Sequence, residues 1–209
     1  MDTLEKIFGG SNKVKIMRLF LFNPQTSFDL KDISQKTKTS LDRARIEIKN
    51  LEKVNLIKKR SFLKEIPIKN TRSKETNKVK KKRTNGWILD EKFPFLLPLQ
   101  NFLINITSSQ HREIMKKLKK VGSIKLLILS GVFIQEWDSR VDILIVGDRM
   151  KRGIIENVIS EIESEVGKDL KYTFFETQDF LYRIGVCDKL VRDILDYPHK
   201  KLINRLELI

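Results

Sequence analysis

Hydrophobic and polar positions change rhythm twice along this chain. From Ser11 to Leu51 the apolar residues fall at helical spacing. Val14, Ile16, Met17, Leu19, Phe20 and Leu21 follow Ser11, a suitable N-cap, and the run stops before Pro24, which predicts a first long helix. A second helix starts near Asp29, a good cap, with Leu30 and Ile33 turned inward. Lys38 and Thr39 make the turn. Ser40 then caps a third helix, in which Ala44, Ile48 and Leu51 fall at i, i+4 and i+7, the spacing of one buried stripe. Asp42 in its first turn complements the helix dipole.

Past Leu51 the spacing loosens into a weak alternation. Residues 56–64 predict one strand and Gly86-Trp87-Ile88-Leu89 a return strand. The 65–85 stretch between them is too long for a tight hairpin, and its KETNKVKKKRTNG composition predicts a mobile tip that orders on binding. EKFPFLLPLQNFLINI then sets two prolines around a dense apolar cluster and continues into a helix-like LQNFLINI. Ser108 or Ser109 caps a further helix, with Gly122 as its C-cap. So much hydrophobicity does not suit a free linker. It predicts a packed bridge or a dimer interface.

From Ile124 the rhythm changes again, to strands alternating with helices. IKLLILS, VDILIVGD and LKYTFFE read as strands; GIIENVISEIESEVG, TQDFLYRI, DKLVRDIL and the final KKLINRLELI read as helical. The fold class expected is α+β. Residues 1–92 form the first unit, 93–122 a helical connector, and 123–209 a small α/β domain.

Charge sharpens this picture. The chain carries a formal +15, and its excess is concentrated. Residues 58–83 hold twelve lysines and arginines against Glu65 and Glu75. A run of this kind is either a solvated loop that keeps the protein in solution or a grip on a polyanion. The helix-turn-helix pattern just upstream favours the grip. If Ala44, Ile48 and Leu51 are buried, then Asp42, Arg43, Ile46 and Lys49 point outward, with Arg45 flanking and Ser40 at the cap. On a helix lying in a major groove, Arg43 is placed for a bidentate guanine contact and Lys49 for a phosphate. Lys58, Lys59, Arg60, Arg72, Lys78, Lys80, Lys81, Lys82 and Arg83 complete the candidate contacts. Each phosphate neutralised adds about 0.9 to the slope of log affinity on log salt.

Four segments together carry a family resemblance: LEKIFGGSNKVKIMRLFLFNP, FDLKDISQKTKTS, IEIKNLEKVNLIKKR and GWILDEKFPFLLPLQNFL. They resemble the winged helix-turn-helix domain of small prokaryotic transcription regulators, ArsR-like in the broad sense. The resemblance covers roughly the first half of the chain. It implies duplex DNA as partner, read by the third helix and gripped by an unusually long basic wing.

The second half resembles a minimal nucleotidyltransferase domain, in LILSGVFIQEWDSRVDILIVGD and the later YTFFETQDFLYRI. That resemblance implies a Gly-Ser turn cradling nucleotide phosphates, two aspartates opening the next strand to hold Mg²⁺, and a third carboxylate beyond. This chain departs from the motif. The Gly-Ser pair is inverted as Ser130-Gly131, Arg140 occupies the first aspartate position, and Lys171, Tyr172 and Thr173 stand where the third carboxylate belongs. Only Asp142 survives. Arg140 and Asp142, two apart on an expected strand, would face one side and pair. The alternatives are a decayed site holding a structural ion pair, or a pocket of Ser130, Gly131, Arg140 and Asp142 that binds a phosphate through Arg140 without metal.

Other chemistry is sparse. Cys187 is single, has no neighbouring histidine, and reads as a buried structural thiol; it admits no internal disulfide. His111 and His199 stand far apart, so no zinc cluster is expected, and no cofactor. MDTLEKIFGG lacks the shape of a signal peptide, and no apolar run approaches the roughly 18 residues of a membrane span, so a cytoplasmic protein without membrane contact is expected.

The leading expectation is a non-enzymatic, DNA-binding transcriptional regulator. Its C-terminal domain would serve dimerisation, partner contact or ligand sensing, with a second copy, a nucleotide or another protein as candidate partners. In a two-fold homodimer the reading helices would address half-sites about 34 Å apart. Two alternatives stand beside it: an active nucleotidyltransferase modifying RNA, protein or a small molecule, and a toxin-antitoxin-type interaction protein. The wing's charge does not by itself separate DNA from RNA, although no aromatic stacking platform is evident.

Overall fold

The computed structural model describes residues 3–67, 79–104 and 108–206, a mixed α+β chain built around two cores. After a short α1 (Thr3–Ile7), α2 (Ser11–Phe22) is buried nearly all round, from Val14 to Leu21. A helix apolar on every side must be enclosed on every side, and α2 is: the first core covers one flank and the second half of the chain the other. Its N-cap is Gly10, without a side-chain cap; Ser11 is the first helical residue rather than the cap.

α3 (Leu30–Thr37) begins at Asp29 as expected. Asp29 accepts the Asp32 backbone N–H at 2.8 Å, and Asp32 returns the bond, closing a capping box. Lys38, in left-handed backbone, ends the helix. α4 (Leu41–Lys53) buries Ala44, Ile48 and Leu51, the predicted stripe.

Next comes a hairpin longer than its sequence suggested. β1 (Ile57–Pro67) pairs antiparallel with β2 (Val79–Leu89), in register from Ile57–Leu89 out to Pro67–Val79. Within the expected 65–85 tip, residues 65–67 and 79–85 are thus strand, and 68–78 lie outside the described residues. KKKRTN lacks apolar alternation, yet its backbone completes the ladder with β1, and ladder pairing does not require apolar side chains. Phe28 adds an antiparallel bridge to Trp87 on the other side of β2. Arg72 and Lys78 lie outside the described residues.

The connector divides between the two cores. α5 (Leu96–Ile104) tolerates Pro98 in its first turn and buries Leu103 in the N-terminal core. α6 (Ser108–Leu118) places Ile114 and Leu118 in the second core. Gly122 follows a three-residue turn and precedes the next strand, so it is not the helix cap expected of it.

In the second half, β3 (Ser123–Leu129), a 3-10 turn at Gly131–Phe133, β4 (Ile143–Asp148), α7 (Arg152–Val166), β5 (Tyr172–Glu176), α8 (Thr177–Gly185), α9 (Lys189–Asp196) and β6 (Lys200–Asn204) follow in order. The sheet runs β5-β4-β3-β6; β3 is antiparallel to both neighbours and β4 parallel to β5. Leu127, Leu129, Ile143 and Ile145 face α6 and α7, while Leu126, Ile128, Leu144 and Val146 face α8 and α9. Covering on both faces explains why these strands read as unbroken apolar runs.

The last segment, expected as helix, contributes β6 because β3 offers a free edge for it to pair with. Cys187 is exposed, not buried: it sits in the turn between α8 and α9 with φ 54°.

Candidate nucleic-acid interface

The outer face of α4 follows from its buried stripe. Asp42, Arg43, Arg45, Ile46 and Lys49 are all exposed, Ile46 by 58%. Ser40 is the exposed N-cap residue, with no side-chain capping bond. Asp42 holds Arg45 through a 3.1 Å ion pair, which leaves Arg43 and Lys49 as the cations of this face without a carboxylate among the described residues.

Glu52, at the end of α4, joins this helix to the hairpin. Its carboxylate meets Lys59 at 3.1 Å and accepts the Trp87 indole N–H at 3.4 Å. The hairpin base is anchored by buried Ile57, Ile88 and Leu89. From Ser61 outward the arm spans seven residues of β1, about 23 Å at about 3.3 Å per residue.

Cross-strand partners share a face, so the register sorts the cations. One face carries Lys58, Arg60, Lys64, Lys82 and Lys80. The other carries Lys59, Arg83 and Lys81. Several are already engaged: Lys58 with Asp90 at 2.9 Å, Lys59 with Glu52, Lys81 with Glu65 at a loose 3.9 Å, and Arg83 with the Ser61 hydroxyl at 3.0 Å. Arg60, Lys80 and Lys82 are exposed and form no ion pair among the described residues.

Lys64 is different in kind. It is half-buried, and its ammonium lies 2.7 Å from Asp29 and 2.6 Å from Asp32, the two capping residues of α3. Burial works against these charges, yet the hydrogen bonds and charge of the partners win. The Asp29 carboxyl is held below its ordinary 3.8 and the Lys64 ammonium above its ordinary 10.5. Lys64 is a strut, not a free cation. In sequence it was one more lysine in a basic run, and nothing local distinguishes it.

Of the second candidate site, Ser130, Gly131 and Asp142 are brought together and bonded to the protein itself. Asp142 is buried, with Oδ1 accepting the Val132 N–H at 2.9 Å and Oδ2 the Lys171 N–H at 2.8 Å. Gly131, at φ +55°, lies so close that a Cβ there would sit 2.0 Å from Asp142 Oδ1. Ser130 donates to the Pro198 carbonyl at 2.9 Å and contacts the Ser139 hydroxyl at 2.9 Å. The expected Arg140–Asp142 pair does not form. Asp142 precedes β4 rather than lying on it, and Arg140 turns to Asp193 on α9 at 2.7 Å. Each carboxylate oxygen of Asp142 accepts from a backbone donor, so this group closes a loop crossing.

The two halves meet where α2 and α3 pack on the end of α7. Arg18 of α2 is buried and donates to the Leu103 carbonyl at 3.0 Å and the Glu165 carbonyl at 3.1 Å, at the C-terminal ends of α5 and α7. Asn23 donates to the Gly167 carbonyl at 3.0 Å, and Lys36 pairs with Asp169 at 2.7 Å.

No family model, no curated protein and no solved structure matches this chain. Among the described residues no helix is long and apolar enough to cross a membrane, and no cluster of three or more histidine, cysteine or acidic residues could hold a metal ion.

Proposed function

We propose that this protein is a DNA-binding transcriptional regulator of the prokaryotic cytoplasm. In this reading α2, α3, α4 and the β1–β2 hairpin are a winged helix-turn-helix, and residues 123–206 are a nucleotidyltransferase-like domain that no longer catalyses transfer. That domain would serve dimerisation, partner contact or ligand sensing.

The observation that carries the reading is the junction at Glu52. It fastens the exposed Arg43-Ile46-Lys49 face of α4 to a hairpin arm rich in cations, so a candidate base-reading surface and a candidate phosphate grip adjoin in one rigid unit. Against catalysis stand the engagement of Asp142 by two backbone N–H groups and, two positions earlier in the sequence, an arginine paired with Asp193 where the resemblance calls for a metal-binding carboxylate.

Selection of bound duplexes from a random pool across a salt series tests the proposal. A shared motif that persists at physiological salt is the expected result. Binding that disappears with salt and leaves no motif overturns it.

A further inference from the structure

The hairpin arm has two properties that a simple phosphate grip does not require. Its cations are not confined to one face: Arg60, Lys80 and Lys82 lie on one side of the ribbon, Arg83 and Lys81 on the other. Each face also exposes an aliphatic side chain directly across from a cation. Ile66, 39% exposed, is the cross-strand partner of Lys80, and Leu63, 65% exposed, is the partner of Arg83. A ribbon lying along one phosphate strand would carry its charge on one face and leave no reason for aliphatics beside it.

We infer that the arm enters the major groove of B-form DNA edge-on, as a two-stranded ribbon reading base edges. This rests on the DNA-binding reading above. Inside a groove both faces meet a phosphate wall, which accounts for cations on both. The thymine methyl is the one apolar group a base pair presents in the major groove, which accounts for Leu63 and Ile66. Width selects the groove. A ribbon with its side chains needs about 10 Å, and the B-form major groove offers about 12 Å against about 6 Å for the minor groove. The deep, narrow major groove of an RNA duplex excludes it. Lys64 serves the insertion without touching DNA, because its bonds to Asp29 and Asp32 hold the arm at a set angle to α3.

The test uses the full chain and a duplex selected from a random pool. Replacing every thymine by uracil removes methyls from the major groove alone. The expected result is a loss of roughly tenfold in affinity, and a much smaller loss in the double variant Leu63→Ser/Ile66→Ser, which keeps its salt dependence. Lys80→Gln/Lys82→Gln should keep the uracil effect while the salt slope falls by about 1.8, two phosphate contacts' worth. An RNA duplex of the same sequence should bind no better than random DNA. If uracil costs the parent protein nothing, or costs the Leu63/Ile66 variant as much as the parent, groove insertion is wrong and the DNA-binding reading survives. Equal affinity for the RNA duplex also overturns it. If no duplex is bound under any condition, the DNA-binding reading fails as well.

Discussion

Lys64 of the hairpin and Asp29 of the α3 cap lie 2.7 Å apart, and this bond ties the basic arm to the helical body at a point where the sequence separates them by 35 residues. Asp32 completes the bracket. Lys64→Met should lower stability by about 1–2 kcal/mol, since both aspartates lose a charged donor while remaining partly solvated. Asp29 has a depressed pKa in the folded state, so its contribution is present above 3.8 and is lost as pH falls through the lowered value. Lys64 has a raised pKa, so its contribution holds up to 10.5 and is lost as pH rises through the raised value. Urea titrations of the parent and Lys64→Met across pH should converge at both extremes. DNA affinity should fall in the variant with the salt slope unchanged, which separates a strut from a phosphate contact.

Asp142→Ala strands two backbone N–H groups, the buried one of Val132 and the part-buried one of Lys171. The expected cost is about 2–4 kcal/mol, read as a lowered thermal midpoint. DNA binding by the folded protein should be unchanged, because the residue closes a loop crossing in the other half of the chain. A variant of full stability would contradict the structural role assigned here.

Gly167 ends α7 in left-handed backbone at φ +84°, pressed against α2. A Cβ there would lie 2.6 Å from the Arg18 carbonyl carbon and 2.6 Å from the Leu19 nitrogen. Gly167→Ala should therefore destabilise the contact between the halves by about 1–3 kcal/mol. Arg18→Met should do likewise by removing the donor to the Leu103 and Glu165 carbonyls. Both would appear as a lower unfolding midpoint, with faster proteolysis near residues 165–169.

His111 is buried on α6, with Nδ1 3.2 Å from the Lys200 ammonium. Burial first, then the Lys200 charge, hold its pKa below the ordinary 6.5. The unfolded chain binds this proton more readily, so stability is full above 6.5 and declines as pH falls toward the lowered folded value. Denaturation midpoints measured from about pH 7.5 to about pH 5 should show that decline, and His111→Gln should flatten it.

Local pattern reached as far as local physics allows. The stripe of Ala44, Ile48 and Leu51 oriented α4 because helical spacing alone decides which side is apolar, and Asp29 announced α3 because a cap acts within one turn. Residues 79–85 were missed because KKKRTN carries no alternation; only the pairing partner β1 makes it a strand. The C-terminal segment reads as helix in isolation for the same reason, since the open edge of β3 lies far away in sequence.

By itself, then, the sequence determined the helices α2 to α4, the strands β3 to β5 and the place of the positive charge. These depend on residue identity and on neighbours within a few positions. Only the tertiary structure decided that Lys64 is spent on Asp29 and Asp32 rather than free for a phosphate, that Arg140 turns to Asp193 instead of Asp142, and that the arm's cations divide between two faces. Each of those outcomes is a choice among partners distant along the chain. Partner choice is settled by which groups the packed elements bring within hydrogen-bond reach.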